Sequence, residues 1–244
     1  MLQKHIDMKL GINVWYVTLL LASTAGFCDT ITFVTANQLF SAHVTGNFIV
    51  FAYDVIMGSD ARAWIKLLTL PVFVLSVMAG GWMIGKGFNR YSMLLAESIL
   101  LIAAGLIDLG FRLYGAAELP WSVCVIVMPV VFAMGLQNAF GKAFGKETHG
   151  PTTMMTGNVT QASLDIEAFF RPGFRDDQIL LSLKKQGVTI GSFLGGCLLG
   201  AVLGKQAGLT AVALPGLALA YCHWVTVQRA QIPDNMTGAA NSIK

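Results

Sequence analysis

Six apolar runs of lipid length dominate the sequence, at about 14–36, 64–85, 93–113, 121–140, 180–204 and 207–227. A helix rises 1.5 Å per residue, so about 20 residues cross the hydrocarbon core of a bilayer. In lipid, a helix satisfies its backbone N–H and C=O groups within the segment, so these runs are expected to be transmembrane helices. Composition agrees. Only 12% of the residues are charged, against about 25% in a soluble domain. The expected fold is an all-α integral membrane protein, with residues 1–244 forming a single membrane domain. Residues 1–13 carry Lys4 and Lys9, and the first run continues to Asp29 without a small-x-small cleavage site. It reads as an uncleaved span rather than a signal peptide.

Two further apolar pieces, 44–57 and 154–170, are shorter. Each begins with Thr-Gly-Asn and carries an aspartate further along. At about 21–25 Å as helix they are short for lipid-facing spans. Half-helices entering from one side, or helices buried in the bundle, suit them better.

The two pieces also mark an internal repeat. Val44-Thr45-Gly46-Asn47 recurs as Met155-Thr156-Gly157-Asn158, at an offset of 111 (156 − 45). The same offset maps Asp54 onto Asp165, Gly80 onto Gly191 and Gly85 onto Gly196. An offset of 109 maps Gly26-x-x-Asp29 onto Gly135-x-x-Asn138. The repeats are expected at about 10–115 and 118–230.

Lysine and arginine set the orientation. With six spans and both short pieces re-entrant, twelve of the 16 lie on one side, and Arg62, Lys66, Arg112 and Lys205 on the other. With eight spans the division is eleven to five. Six spans give the cleaner bias and put both termini in the cytoplasm. Three spans per half is odd, so the halves would be inverted repeats, a recurring transporter design. Four per half would make them parallel.

The Thr-Gly-Asn elements carry the candidate chemistry. Thr45 or Thr156 can cap a helix N-terminus. Gly46 or Gly157 lets a ligand or backbone approach closely. Asn47 or Asn158 offers a neutral donor and acceptor, beside N–H groups left unpaired at a helix start. The pair could be half-helices aimed at a substrate, or a capped packing joint. Asn47 to Asp54 and Asn158 to Asp165 are both seven apart, hence on one helical face. That stripe could line a water path or satisfy neighbouring backbone. Asp29 stands in the outer part of the first span, flanked by apolar residues, where a carboxylate at depth costs at least a few kcal/mol unless paired or protonated. With Asn138 as its neutral counterpart, it could couple one proton or cation, or cap a Thr-Gly-Asn helix. Asp108 and Glu97 read as interfacial. His43 and His223 look isolated, and the four cysteines lie singly in apolar runs, so neither metal site, disulfide nor cofactor is expected. No nucleophile elbow or phosphate-binding loop appears, so the chain does not read as an enzyme. A net charge of +3 is too small and dispersed for a nucleic-acid partner. Gly81-xxx-Gly85 and Gly196-xxx-Gly200-xxx-Gly204 fit close helix packing in lipid.

Gly26-Phe27-Cys28-Asp29, His43-Val44-Thr45-Gly46-Asn47, Gly135-Leu136-Gln137-Asn138-Ala139 and Thr152-Thr153-Met154-Met155-Thr156-Gly157-Asn158 resemble the YoaK-type family of bacterial multi-pass membrane proteins of unknown function. The resemblance covers nearly the whole chain. It implies a six-span protein of the bacterial inner membrane and supplies neither substrate nor site residues. The sequence therefore points to a small secondary transporter or channel for a small solute or ion. Its substrate-binding site would comprise Asp29, Thr45, Gly46, Asn47, Asn138, Thr156, Gly157 and Asn158, and a homo-oligomer is compatible with it. The alternative is a non-transporting assembly or regulatory protein of the membrane.

Overall fold

The computed structural model describes residues 14–58, 63–115, 121–171 and 177–231. Lys4, Lys9, Arg62, Arg175 and Lys244, which enter the charge count, lie outside them, as do both termini. The described elements are α1 (Val14–Thr35), α2 (Gly46–Met57), α3 (Trp64–Gly85), α4 (Arg90–Leu113), α5 (Ser122–Ala143), α6 (Met155–Phe170), α7 (Asp177–Ala207), a 3₁₀ turn η1 (Gly208–Val212) and α8 (Ala213–Gln231).

Five stretches are long and apolar enough to cross a membrane, the last being the 50 residues Asp177–Thr226. As one helix that stretch would be about 75 Å long, more than twice a hydrocarbon core. It breaks at η1, where Gly208 has φ +62° and packs against the Arg112 guanidinium. That left-handed conformation favours glycine. The stretch is thus two helices, α7 and α8. Large apolar side chains point outward along them and along α3: Leu75 is 58% exposed, Met78 63% and Leu198 62%. In water such a surface would aggregate, whereas in lipid it is ordinary. This is an all-α membrane protein.

Side-chain contacts fix how the helices run. Glycines of α7 climb α1 in register: a Cβ on Gly196 would collide with Ser23 O, and one on Gly200 would lie 2.6 Å from Phe27 O. One on Gly204 would lie 3.1 Å from Ile31. Residue numbers rise together, so α1 and α7 are parallel. Helices α3 and α5 are parallel too, since Ser76 Oγ donates to Phe132 O while a Cβ on Gly80 would meet Leu136 and Ala139. Helix α5 runs opposite to α1. Gln137 Nε2 donates to Leu21 O, and His149, beyond the end of α5, stacks edge-on against Trp15. Helix α4 runs opposite to α5, with Phe111 against Trp121 at one end and Tyr91 Oη donating to Glu147 at the other. It also runs opposite to α8, where a Cβ on Gly105 would meet Ala213 and one on Gly216 would meet Ile102. Contacts this close require glycine backbones, the means by which helices pack in lipid.

Helices α2 and α6 are the short elements, of 12 and 16 residues, or about 18 and 24 Å. Helix α2 packs on α3, and α6 on α7. The C-terminal end of α2 leads to the start of α3, where Phe51 meets Trp64. The C-terminal half of α6 meets the start of α7 through Asp165 and Ser182. Since α3 runs opposite to α1 and α7 runs with it, those two starts lie at opposite ends of the bundle.

Candidate functional site

The chain reverses sharply after α1. Asn37 and Gln38 both adopt positive φ, 52° and 60°, a strained conformation for residues other than glycine. The reversal lays residues 40–45 back along α1, beside Asp29. Asp29 Oδ1 accepts the backbone N–H groups of Ala42 at 2.7 Å and His43 at 3.2 Å, and Oδ2 pairs with His43 Nδ1. The aspartate is 3% exposed. It therefore holds the loop ahead of α2 and orients an imidazole. His43, which looks isolated in the sequence, is paired. Fourteen residues separate it from its partner, and only the reversal joins them.

The threonines do not cap. Thr45 stands before α2 in helical conformation with no side-chain cap bond, and Thr156 lies inside α6, whose N-cap is Met154. The N–H groups of Gly46, Asn47 and Phe48 are not left open either: they bond to the carbonyls of His43, Val44 and Thr45 in tight turns. The asparagines do the fastening. Asn47 Oδ1 accepts Phe40 N–H at 2.8 Å and its Nδ2 donates to Phe40 O at 2.8 Å and to Thr69 Oγ1 at 2.9 Å. Asn158 Nδ2 reaches the equivalent place, Pro151 O, at 2.8 Å. Proline offers a carbonyl alone, so that clamp lacks the N–H half. Both side chains are buried, 0% and 4% exposed for the residue, and neither lines a cavity described below.

The aspartates of the polar stripe also find neighbours. Asp54 pairs with Lys66 of α3, both nearly buried. Asp165 accepts from Gln161 at 2.8 Å and from Ser182 of α7 at 2.5 Å. The stripe thus ties each short helix to the helix after it.

Two cavities meet at the loops. One, about 310 Å³, is walled by Ala42, His43, Val44 and Thr45 from the first loop, by Thr153, Met154, Met155, Thr156 and Gly157 from the second, and by Phe73 and Asn138. The other, about 730 Å³, is walled by Asp29, Thr30, His43, Thr45, Gly46, Phe193 and Cys197, among others. His43 and Thr45 wall both. Asn138 donates to Thr153 Oγ1 at 2.9 Å, just as Asp29 holds Ala42 and His43. The structure thus gathers six of the eight expected site residues around two adjoining cavities: Asp29, Thr45, Gly46, Asn138, Thr156 and Gly157. Gln137, not expected there, braces the second loop through Thr152 Oγ1 at 2.9 Å.

The two acids expected at the interface are buried. Asp108, 4% exposed, accepts from Arg112 at 2.8 Å and Thr210 at 2.6 Å. Glu97 is 0% exposed, and neither carboxyl oxygen has a hydrogen-bond partner among the described residues. Both positions lie toward the ends of the run by number, but each faces inward.

The transmembrane protein YoaK of Bacillus subtilis (strain 168), labelled UPF0700, is 25% identical over 155 residues, covering 62% of this chain and 68% of its own. No solved structure matches. The family model described as "Protein of unknown function (DUF1275)" matches residues 17–225, and the chain belongs to that family.

Proposed function

We propose that the protein is a small secondary transporter or channel, not an enzyme, and that a small solute passes through the cavities between the two Thr-Gly-Asn loops. The observation that carries this reading is the shared cavity. Both loops contribute to one wall, Thr45 from the first and Thr156 with Gly157 from the second. At about 310 Å³ it suits a small molecule, at the lower end of ordinary ligand pockets. Hydroxyl, amide and imidazole groups from Thr45, Asn138, Thr153, Thr156 and His43 stand there beside Phe73 and Met154, a lining that takes polar and apolar atoms together.

The proposed architecture is a pair of inverted repeats in the bacterial inner membrane, with six spans and cytoplasmic termini. Its support is geometric. The antiparallel run of α1 and α5, the matching helices of the two halves, fits inversion and not a parallel eight-span arrangement. The α1–α7 and α3–α5 interfaces are built alike: Gly26 packs on Phe193, and Gly135 on Phe73 and Ser76. These contacts favour an offset of 120 for the third helix of each half. It aligns Thr69 with Thr189, Phe73 with Phe193 and Gly80 with Gly200, in place of Gly80 with Gly191. Longer helices account for the change from 111: α6 runs two residues past the counterpart of Met57, and α7 begins seven residues before the counterpart of Trp64. Inverted repeats with half-helices that start from adjoining loops fit alternating access to a shared site.

A second reading, a tightly packed assembly or regulatory protein, draws on the clamps at Asn47 and Asn158, which spend those amides on the chain itself. Access separates the two. With Cys28, Cys124, Cys197 and Cys222 replaced, Thr45→Cys and Thr156→Cys should react with a small cationic thiosulfonate in native membranes. Inertness of both, in membranes open on both sides, would favour the packed protein.

A further inference from the structure

We infer that His43 is the proton-exchanging group of this cavity system, so that the ion coupled to solute movement is a proton. The inference rests on the transport reading above and adds the coupling ion. Three features of the geometry lead to it. First, the imidazole is split between two environments. Its Nδ1 edge meets Asp29, whose side chain is 5% exposed, while the ring as a whole is 39% exposed and walls both cavities. A carboxylate opposite Nδ1 fixes the proton there in the neutral ring and leaves Nε2, on the far edge, to gain or lose one. Second, the ring is held in place. The Phe40 and Phe193 rings stand edge-on to it, with centroids 6.4 and 5.9 Å away, and its own backbone N–H is tied to Asp29. Third, little else near it titrates. Among the described residues that line the two cavities, α1 contributes Asp29, α7 contributes Cys197, and α2, α3, α5 and the second loop contribute no ionisable side chain.

The step is a simple one. Nε2 takes up a proton delivered from the bulk solvent, the imidazole becomes an imidazolium, and Nε2 changes from acceptor to donor. The Asp29–His43 pair passes from one negative charge to none. A solute that offers an acceptor can bond to the protonated ring, and on release the proton can leave with it. A neutral pair also crosses a low-dielectric region at far less cost than a lone charge. The second loop has Met154 at the corresponding position (43 + 111), so the proton site is single and lies on the Asp29 side.

Ring-nitrogen NMR of the full chain in lipid nanodiscs tests this without a known solute. The four histidines are distinguished by omission, His43→Gln removing the signal of interest. The expected result is a His43 ring that is neutral with its proton on Nδ1 at high pH and gains a proton on Nε2 as the pH falls between 9 and 5. Asp29→Asn should move that midpoint to lower pH. A His43 ring that keeps one protonation state throughout, or whose neutral form carries the proton on Nε2, would overturn the inference. The wild-type titration decides the matter even if Asp29→Asn does not fold. Labelling at Thr45→Cys and Thr156→Cys with no titration of His43 keeps the transport reading and removes proton coupling. Titration with both cysteines inert keeps the proton site and removes transport.

Discussion

Replacing Asn47 with leucine should cost far more than the same change at Asn158, and the structure sets the ratio. Asn47 is fully buried and holds both backbone groups of Phe40, at 2.8 Å each. Leucine leaves the Phe40 N–H and C=O without those partners. An orphaned buried polar group costs about 1–3 kcal/mol, so the pair costs about 2–6 kcal/mol. Thr69 keeps its bond to Lys66 O at 2.6 Å and adds little. Asn158 holds a single backbone group, Pro151 O, and its loss should cost about 1–3 kcal/mol. Reversible unfolding of the purified protein in mixed micelles, with sodium dodecyl sulfate as denaturant, measures both on one scale. Asn47→Leu should lose about twice what Asn158→Leu loses. Equal losses, or an Asn47→Leu protein within about 0.5 kcal/mol of the parent, which is the range of an ordinary surface substitution, would refute the two-point clamp.

Three further outcomes follow from the packing and the buried charges. Gly196→Ala should strongly destabilise the protein, because its Cβ would run into the Ser23 carbonyl, whereas Gly191→Ala meets nothing within 4 Å and should be neutral or stabilising; melting in detergent, followed by size-exclusion fluorescence, compares them. Lys66→Met leaves the Asp54 carboxylate without its cation and should cost about 3–5 kcal/mol, and Asp54→Leu added to it should recover much of the loss. Glu97→Leu removes from α4 a buried carboxyl with no hydrogen-bond partner among the described residues and should leave the melting temperature equal or higher; a clear fall would reveal a partner for that side chain.

The sequence made the spans legible because lipid demands long apolar runs, and the predicted 64–85 became Trp64–Gly85 unchanged. It also located the Thr-Gly-Asn loops and six residues of the cavity walls, Asp29, Thr45, Gly46, Asn138, Thr156 and Gly157. It misassigned the parts within the motif. Capping rules look three residues ahead, which favoured the threonines, whereas the asparagines reach seven residues back to Phe40 and Pro151. His43 looked isolated because its pairing with Asp29 depends on a left-handed reversal at Asn37 and Gln38, residues with no obligatory preference for it. The burial of Glu97 and Asp108 inside the protein was not legible, because position along a span does not say which way a side chain faces.

The central claim is that the two short helices run from adjoining loops to opposite faces of the membrane, and one labelling experiment addresses it. Met57, at the end of α2, is 62% exposed, and Phe170, at the end of α6, is 77% exposed. In a protein with its four cysteines replaced, each is changed to cysteine and treated with an impermeant thiol reagent added to intact cells and to inverted vesicles. Inverted halves require Met57→Cys to react from the outside and Phe170→Cys from the inside. Reaction of both from the same side would mean parallel halves with fully spanning short helices, and would contradict the account.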